Sequence, residues 1–227
     1  MNYLILIVST VLTFSFLLLF FRLFKKEGLF AFVAASVILA NILVTQTLEL
    51  FGFVITLGNA MYAASFLCTD IMSEIYGKDT SKKAVYLGFL VSFMTLVLMC
   101  LTLQLKMDVN PSAKDALSTL FTPFLRITLG SLVAYLVSNL HDVYSFDYFR
   151  KKGEKKLALR NIGSTAISQL IDTLIFCTIA FVGSYETSVF VSILISTYVL
   201  KAVLTLFAHP FFRLAVKWNR EAEEKSK

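Results

Sequence analysis

Long apolar segments alternate with short polar ones along the chain. Each apolar segment holds about 20 residues, the length of helix that crosses a hydrocarbon core of roughly 30 Å. Only helices and closed barrels satisfy the backbone in lipid, and these segments are too long for barrel strands. The pattern therefore predicts an all-α, polytopic membrane bundle of about seven transmembrane helices. The predicted spans are 3–21, 29–50, 55–75, 84–105, 118–140, 161–183 and 188–210.

The composition agrees with a membrane class, because 57% of the residues are hydrophobic and 22 of the 227 are Phe. The three cysteines, Cys68, Cys100 and Cys177, fall inside predicted spans, which favours packing roles over a disulfide framework or a metal site. No cofactor is expected. The first span lacks a basic n-region and a small-residue cleavage site, so we interpret it as a retained helix and not a secretory signal.

Lysine and arginine are concentrated in every second polar segment. These basic segments are 22–28, 76–83, 141–160 and the tail after 210, whereas the alternate segments hold only Lys106 and Lys114. The positive-inside rule then predicts that the N-terminus faces out and the C-terminus faces the cytoplasm. The net charge of +6 is therefore interpreted as contact with anionic head groups of the bilayer, ahead of nucleic-acid binding.

Charged residues also lie inside the predicted spans, where each costs about 2.5–3.5 kcal/mol on insertion scales. Arg126 lies in the fifth span, Asp172 in the sixth and Lys201 in the seventh. Such residues pair with one another, line a water-filled cavity or bind a ligand, and a purely structural ion pair is the simpler alternative. The spans also hold Asn41, Asp70, Glu74, Gln169 and His209.

Helical spacing places these polar residues on common faces. Arg126 heads a stripe of small residues at every fourth position, which is typical of closely packed membrane helices. Interhelical hydrogen bonding alone is the alternative for Asn41, and an interfacial position is the alternative for Glu74 and His209. The stripes are Asn161, Thr165, Gln169 and Asp172; Thr197, Lys201, Thr205 and His209; and Arg126, Gly130, Ala134 and Ser138.

Common enzyme signatures are missing from the sequence, which contains no GxxxxGK[ST], HExxH or GxSxG pattern. An intramembrane enzyme acting on lipid or a polar head group is an alternative, with only His141-Asp142 and His209 to supply its chemistry. The side chains of two adjacent residues diverge on a helix, so His141-Asp142 is weak evidence for an acid/base pair. We therefore predict a membrane protein that carries a small polar solute, and not an enzyme.

Several motifs resemble those of the queuosine precursor transporters, a family also described as vitamin uptake transporters. The most specific is the run Thr69–Lys78, TDIMSEIYGK, and the similarity extends over residues 35–212. Further matches are Ser164-Thr165 followed by Gln169, Asp172 and Phe176; Arg126; the edge from Asn139 to Asp142; and Lys201. The resemblance implies a bacterial inner-membrane importer of deazaguanine bases, namely the cyano or aminomethyl precursor or queuine, for salvage into transfer RNA queuosine. We therefore divide the chain into a first helix with its basic loop outside the resemblance (1–28), a transporter core (29–212) and a charged cytoplasmic tail (213–227).

The residue chemistry suits such a solute. A deazaguanine presents adjacent ring N–H and amine donors to a carboxylate, and its carbonyl accepts from a cation or an amide. We hypothesise a site between the helices in which Asp172 accepts the guanine-like edge. The predicted substrate-binding residues are Asn41, Asp70, Arg126, Gln169, Asp172 and Lys201, and the candidates for proton coupling are Asp70, Glu74 and Asp172.

The order of the spans also suggests a transport mechanism. Spans two to four begin inside and spans five to seven begin outside, a 3+3 arrangement that inverted-repeat transporters show. Secondary transport by alternating access is our main interpretation, and a binding subunit of an ATP-driven uptake system is the alternative. A homo-oligomer is compatible with the sequence.

Overall fold

The computed structural model describes residues 2–44, 46–50, 53–105, 112, 115–118, 125–151, 157–183 and 186–225. These residues form a helical bundle, as predicted. Its elements are α1 (Asn2–Leu43), β1 (Thr47–Leu50), β2 (Phe53–Thr56), α2 (Asn59–Ile75), α3 (Lys78–Gln104), α4 (Leu125–Lys151), a π-helical turn (Leu159–Gly163), α5 (Ser164–Phe181) and α6 (Thr187–Lys225).

Several of these helices have the dimensions of membrane spans. Within the described residues, four stretches are long and apolar enough to cross a membrane, and the first of them, 40 residues long, covers most of two predicted spans. The protein is therefore a multi-pass membrane protein. The four stretches are Leu4–Leu43, Lys78–Gln104, Arg160–Phe181 and Thr187–Glu224.

The first helix reverses direction at Lys25. A straight helix of its 42 residues would be about 63 Å long, twice the thickness of a hydrocarbon core. Lys25 has a non-helical backbone (φ 51°, ψ −124°), and the Phe20 and Phe32 rings lie 5.9 Å apart across the break. A Cβ atom on Gly28 would lie 2.2 Å from the Phe20 carbonyl oxygen, although residues eight apart in a straight helix are separated by about 12 Å. α1 is therefore a helical hairpin, and its two halves correspond to the first two predicted spans.

A short β-hairpin replaces the ends of two predicted spans. The helix predicted over 29–50 ends at Leu43, and the one predicted over 55–75 begins at Asn59. Between them β1 and β2 pair antiparallel, with Thr47 opposite Thr56 and Leu50 opposite Phe53. The second strand is rich in β-branched residues, which favour a strand over a helix. The predicted boundaries of these two spans are therefore wrong, whereas the all-α bundle stands.

α4 and α6 extend beyond their predicted spans. The predicted loop from 141 is helical as far as Lys151, because Val143 and Phe146 continue a buried apolar face. α6 continues through Pro210 to Lys225, and Phe212, Ala215 and Val216 are buried in the core. These helices lengthen the bundle at the end where the basic residues lie.

The apolar core joins both halves of α1 to α2, α4 and α6. Phe14, Phe21 and Leu29 of α1 belong to one buried cluster with Leu67 of α2 and Phe212 of α6. The Phe212 ring meets that of Phe146 from α4 edge-on, with centroids 6.1 Å apart. The first span is thus packed into the bundle and is not a separate appendage.

The basic segments meet at one end of the bundle, which we call the basic end. Partial burial raises the pKa of the Asp147 carboxyl there, but hydrogen bonds and charges from Lys151 and Lys78 outweigh this, so its pKa lies below the ordinary value. The contacts at the basic end include Arg22 over the Trp218 ring (5.1 Å), Arg150 Nη1 to the Ser73 carbonyl (2.7 Å), Arg160 to Glu74 (2.9 Å), and Lys78 (3.6 Å) and Lys151 (2.9 Å) to Asp147.

Candidate functional site

Four helices contribute to a hydrogen-bonded group that we call the Asn41 cluster: Asn41 of α1, Tyr62 of α2, Ser92 of α3 and Ser131 of α4. The Asn41 carbonyl oxygen accepts from the Ser131 hydroxyl (2.9 Å) and from the Tyr62 hydroxyl (3.3 Å). The Asn41 amide donates to Ser92 (3.4 Å), and the Tyr62 and Ser131 hydroxyls also touch. A polar network that joins four helices fixes their relative positions and supplies donors and acceptors inside the bundle.

A buried salt bridge joins α5 to α6 beside this cluster. The Lys201 ammonium donates to Asp172 Oδ2, and the Ser138 hydroxyl of α4 donates to Asp172 Oδ1 (2.9 Å). The side chains of Lys201 and Asp172 are each 6% exposed. Lys201 also lies 5.9 Å from the centre of the Tyr62 ring, so the ion pair adjoins the Asn41 cluster. The charged residues of α5 and α6 are thus paired with each other inside the bundle.

A third group, the Asp70 cluster, lies nearer the basic end and consists of Asp70, Asn161, Thr165 and His209. Asp70 Oδ2 accepts from the Asn161 amide and from the Thr165 hydroxyl (3.0 Å). The Asn161 amide nitrogen faces Asp70, so the Asn161 carbonyl oxygen faces His209. His209 Nδ1 donates to that oxygen (2.9 Å). Asn161 lies in the π-helical turn, a distortion that recurs at functional sites.

Gln169 lies between these groups on α5, one turn from Thr165 on one side and from Asp172 on the other. Its side chain is 1% exposed, and its Oε1 has no hydrogen-bond partner among the described residues. A buried acceptor without a donor loses about 1–3 kcal/mol relative to a satisfied one. Gln169 is therefore suited to receive a donor from a bound solute.

Two further residues named in the sequence analysis do not join these groups. Glu74 lies elsewhere, and Arg126 is only partly described. Glu74 is one turn from Asp70, but its Oε1 accepts from Arg160 (2.9 Å) at the basic end. The backbone of Arg126 lies in the first turn of α4, and its side chain falls outside the described residues. The small-residue stripe that follows Arg126 does face α5, because a Cβ atom on Gly130 would lie 3.2 Å from Ile179.

Sequence reasoning missed three residues of this site and discounted a fourth. Tyr62 is four residues before Phe66 and eight before Asp70, so its helical spacing could have revealed it, whereas Ser92 and Ser131 carry no such signal. Asp142 was discounted together with His141, and the two side chains do diverge. His141 Nδ1 is hydrogen-bonded to the Ser168 hydroxyl (2.9 Å), and Asp142 faces Asp70.

The family described as "Putative vitamin uptake transporter" matches residues 56–215 of the chain. A probable queuosine precursor transporter from Bacillus subtilis is 39% identical over 222 residues, which cover 95% of both chains. A probable queuosine precursor transporter from Haemophilus influenzae is 27% identical over 136 residues, 60% of this chain and 56% of the relative. No solved structure matches the chain.

Proposed function

Because the chain belongs to the vitamin uptake transporter family, we propose that it imports queuosine precursors, the deazaguanine bases, for the synthesis of queuosine in transfer RNA. The observation that carries this proposal is the 39% identity, over 95% of the chain, to a probable queuosine precursor transporter. Because this match covers almost the full length of both chains, the two proteins can share the same spans and the same site.

We place the protein in the bacterial inner membrane with its basic end in the cytoplasm. The positive-inside rule supports this orientation, since segments that alternate along the sequence bring their Lys and Arg to one end of the bundle. The N-terminus then lies outside, the β-hairpin faces the outer side, and the C-terminus lies inside.

In this proposal the ion pair of Asp172 and Lys201 recognises the guanine-like edge of the base. Asp172 accepts from the ring N–H and the exocyclic amine, while Lys201 donates to the neighbouring carbonyl. Each Asp172 oxygen already accepts one hydrogen bond, and its remaining lone pairs are available to the base. The unsatisfied Gln169 oxygen takes a further donor, and Asn41 and Tyr62 close the opposite side.

Asp70 and Arg126 complete the set of proposed substrate-binding residues. Asp70 lies beyond Gln169 and would hold the solute after it leaves Asp172 on the way to the basic end. Arg126 enters α4 at the opposite end and would attract the carbonyl edge of the base on entry. Movement between these positions is alternating access of a secondary transporter. In it the second half of α1, together with α2 and α3, rocks against α4–α6 as an inverted repeat.

A transport assay with the purified chain alone tests this function. Liposomes that contain the protein are loaded with unlabelled cyano deazaguanine and diluted into the labelled base. We expect transient accumulation of label by the native chain and by Asp147→Asn, and none by Asp172→Asn. Binding without exchange would favour the subunit of an ATP-driven system, and neither binding nor exchange of any deazaguanine would refute the proposal.

A further inference from the structure

Most of the inward carboxylates of the bundle have a cationic partner. Asp172 pairs with Lys201, Glu74 with Arg160, and Asp147 with Lys78 and Lys151. Asp70 and Asp142 differ, because each faces the other and neither forms an ion pair with a described basic residue. Two adjacent buried carboxylates repel each other strongly unless a proton or another cation lies between them.

Asp142 is a buried carboxyl group whose neighbouring hydroxyls are bonded to other acceptors. Asp142 is 0% exposed, and neither of its oxygens has a hydrogen-bond partner within the described part of the chain. The hydroxyls of Ser164 and Ser168 lie nearby, but each donates to a carbonyl of its own helix, at 2.7 and 2.9 Å. Thr165 donates to Asp70. Asp142 therefore meets oxygen lone pairs, and a proton on its carboxyl would be the missing donor.

Two imidazoles lie one hydrogen-bonded residue away from this pair. Ser168, which faces Asp142, is hydrogen-bonded to His141 Nδ1, and Asn161, which donates to Asp70, accepts from His209 Nδ1. Histidine exchanges protons near neutral pH, and chains of Asp and His are the usual proton relays within membranes. The two histidines favour a proton over a metal cation as the occupant.

We propose that Asp70 and Asp142 form a proton-binding site that holds one proton between them and couples its passage to import. The coupling rests on the proposed function, whereas proton binding does not. One proton adds to a carboxylate oxygen from one side of the membrane and leaves towards the other, with no electron transfer.

The charged groups around the pair do not neutralise it. α2 adds only Glu74, which is bound to Arg160 of the π-helical turn, and α5 adds Asp172, which is bound to Lys201. On the side of α6, the pair is approached by His209, and Arg213 lies beyond it. On the side of α4, the nearby titratable residue is His141. The charged residues of α1 and α3 lie in 22–27 and 78–83, at the basic end.

The proposed proton site and the proposed substrate site share two helices. α2 carries both Asp70 and Tyr62, and α5 carries both Thr165 and Asp172. Eight residues of helix separate Asp70 from Tyr62, a distance of about 12 Å. Protonation that weakens the bond from Thr165 to Asp70 would therefore reposition the helices that hold the base.

Proton binding can be measured without substrate. Infrared difference spectra of the purified chain in lipid nanodiscs, between acidic and alkaline buffer, report the carbonyl stretch of a protonated carboxyl group. We expect one such band in the native chain and in Asp147→Asn, and its loss in Asp142→Asn and in Asp70→Asn. An unchanged band in both of the latter variants, or no band in the native chain, would overturn the proposal.

Coupling is measured in liposomes with the uncharged cyano base. With the outside about one pH unit more acidic, one proton per base permits roughly tenfold accumulation, which a protonophore should abolish. Asp142→Asn should bind the base within about twofold of the native affinity but accumulate none. Uptake that ignores the pH gradient, or that follows a sodium gradient instead, would overturn coupling and leave the import function standing. Absence of all uptake would refute the import function, and the infrared band would still decide whether the pair binds a proton.

Discussion

The ammonium group of Lys201 on α6 is paired with the carboxylate of Asp172 on α5 in the interior of the bundle. Removing one partner leaves an uncompensated buried charge, which costs about 3–5 kcal/mol. Lys201→Met should therefore destabilise the protein by about that amount, and Lys201→Met combined with Asp172→Leu should recover much of the loss. Thermal unfolding in detergent measures both effects.

The control for this prediction is Lys217→Met. Lys217 pairs with Glu221 at 3.7 Å, but the Lys217 side chain is 71% exposed. Surface pairs contribute about 0–1 kcal/mol, so this variant should unfold close to the native temperature. Equal stability of the Lys201→Met and Lys217→Met proteins would contradict the buried pair.

Tyr62→Phe tests the role of the Asn41 cluster in binding. The variant loses a hydrogen bond to Asn41 while keeping the ring beside Lys201. A net hydrogen bond contributes about 0.5–1.5 kcal/mol, so deazaguanine affinity should fall by about two- to tenfold in calorimetric titration. Tyr86→Phe removes the same hydroxyl from an exposed position on α3 and should leave affinity unchanged. Equal affinities of the two variants would place the base elsewhere.

Gly28→Ala tests the reversal of α1 at Lys25. The added Cβ atom would meet the Phe20 carbonyl oxygen at 2.2 Å, and a backbone atom cannot move aside as a side chain can. Overpacking of this kind costs about 1–3 kcal/mol, which should lower the unfolding temperature and the yield of folded protein. Ala31→Leu enlarges an exposed residue of the same segment and serves as the control. A Gly28→Ala protein as stable as the native chain would argue for a straight first helix.

The orientation is tested by reporters fused after residue 227. If the basic end is cytoplasmic, a C-terminal green fluorescent protein fusion should fluoresce and a C-terminal alkaline phosphatase fusion should be inactive. The reverse pair of results would invert the topology. Reporters fused to the N-terminus should behave in the opposite way.

The helical content and much of the polar interior followed from periodicity. Hydrophobic length predicted the spans. Helical spacing predicted that Asn161, Thr165 and Asp172 share one face, which runs from the π-helical turn into α5. All three side chains do reach across to another helix. These features were predictable because they depend on local spacing along one helix.

Features that depend on contacts between distant segments could not be predicted in this way. The strands at Thr47–Leu50 and Phe53–Thr56 are as apolar as the neighbouring helices, so hydropathy did not distinguish them. The pairing of Asp70 with Asp142 joins residues 72 positions apart, and nothing local marks it. The burial of Ser92 and Ser131 beside Asn41 likewise depends on how α1, α3 and α4 pack together.

The proposed site at Asp172 must carry a deazaguanine base across the membrane in living cells. The most direct test uses bacteria that can neither make nor import the precursor, supplied with one deazaguanine base, with queuosine measured in their transfer RNA. The native chain and Asp147→Asn should restore queuosine, whereas an equally expressed Asp172→Asn protein should not. Absence of queuosine with every base tested, despite native protein in the membrane, would contradict this proposal.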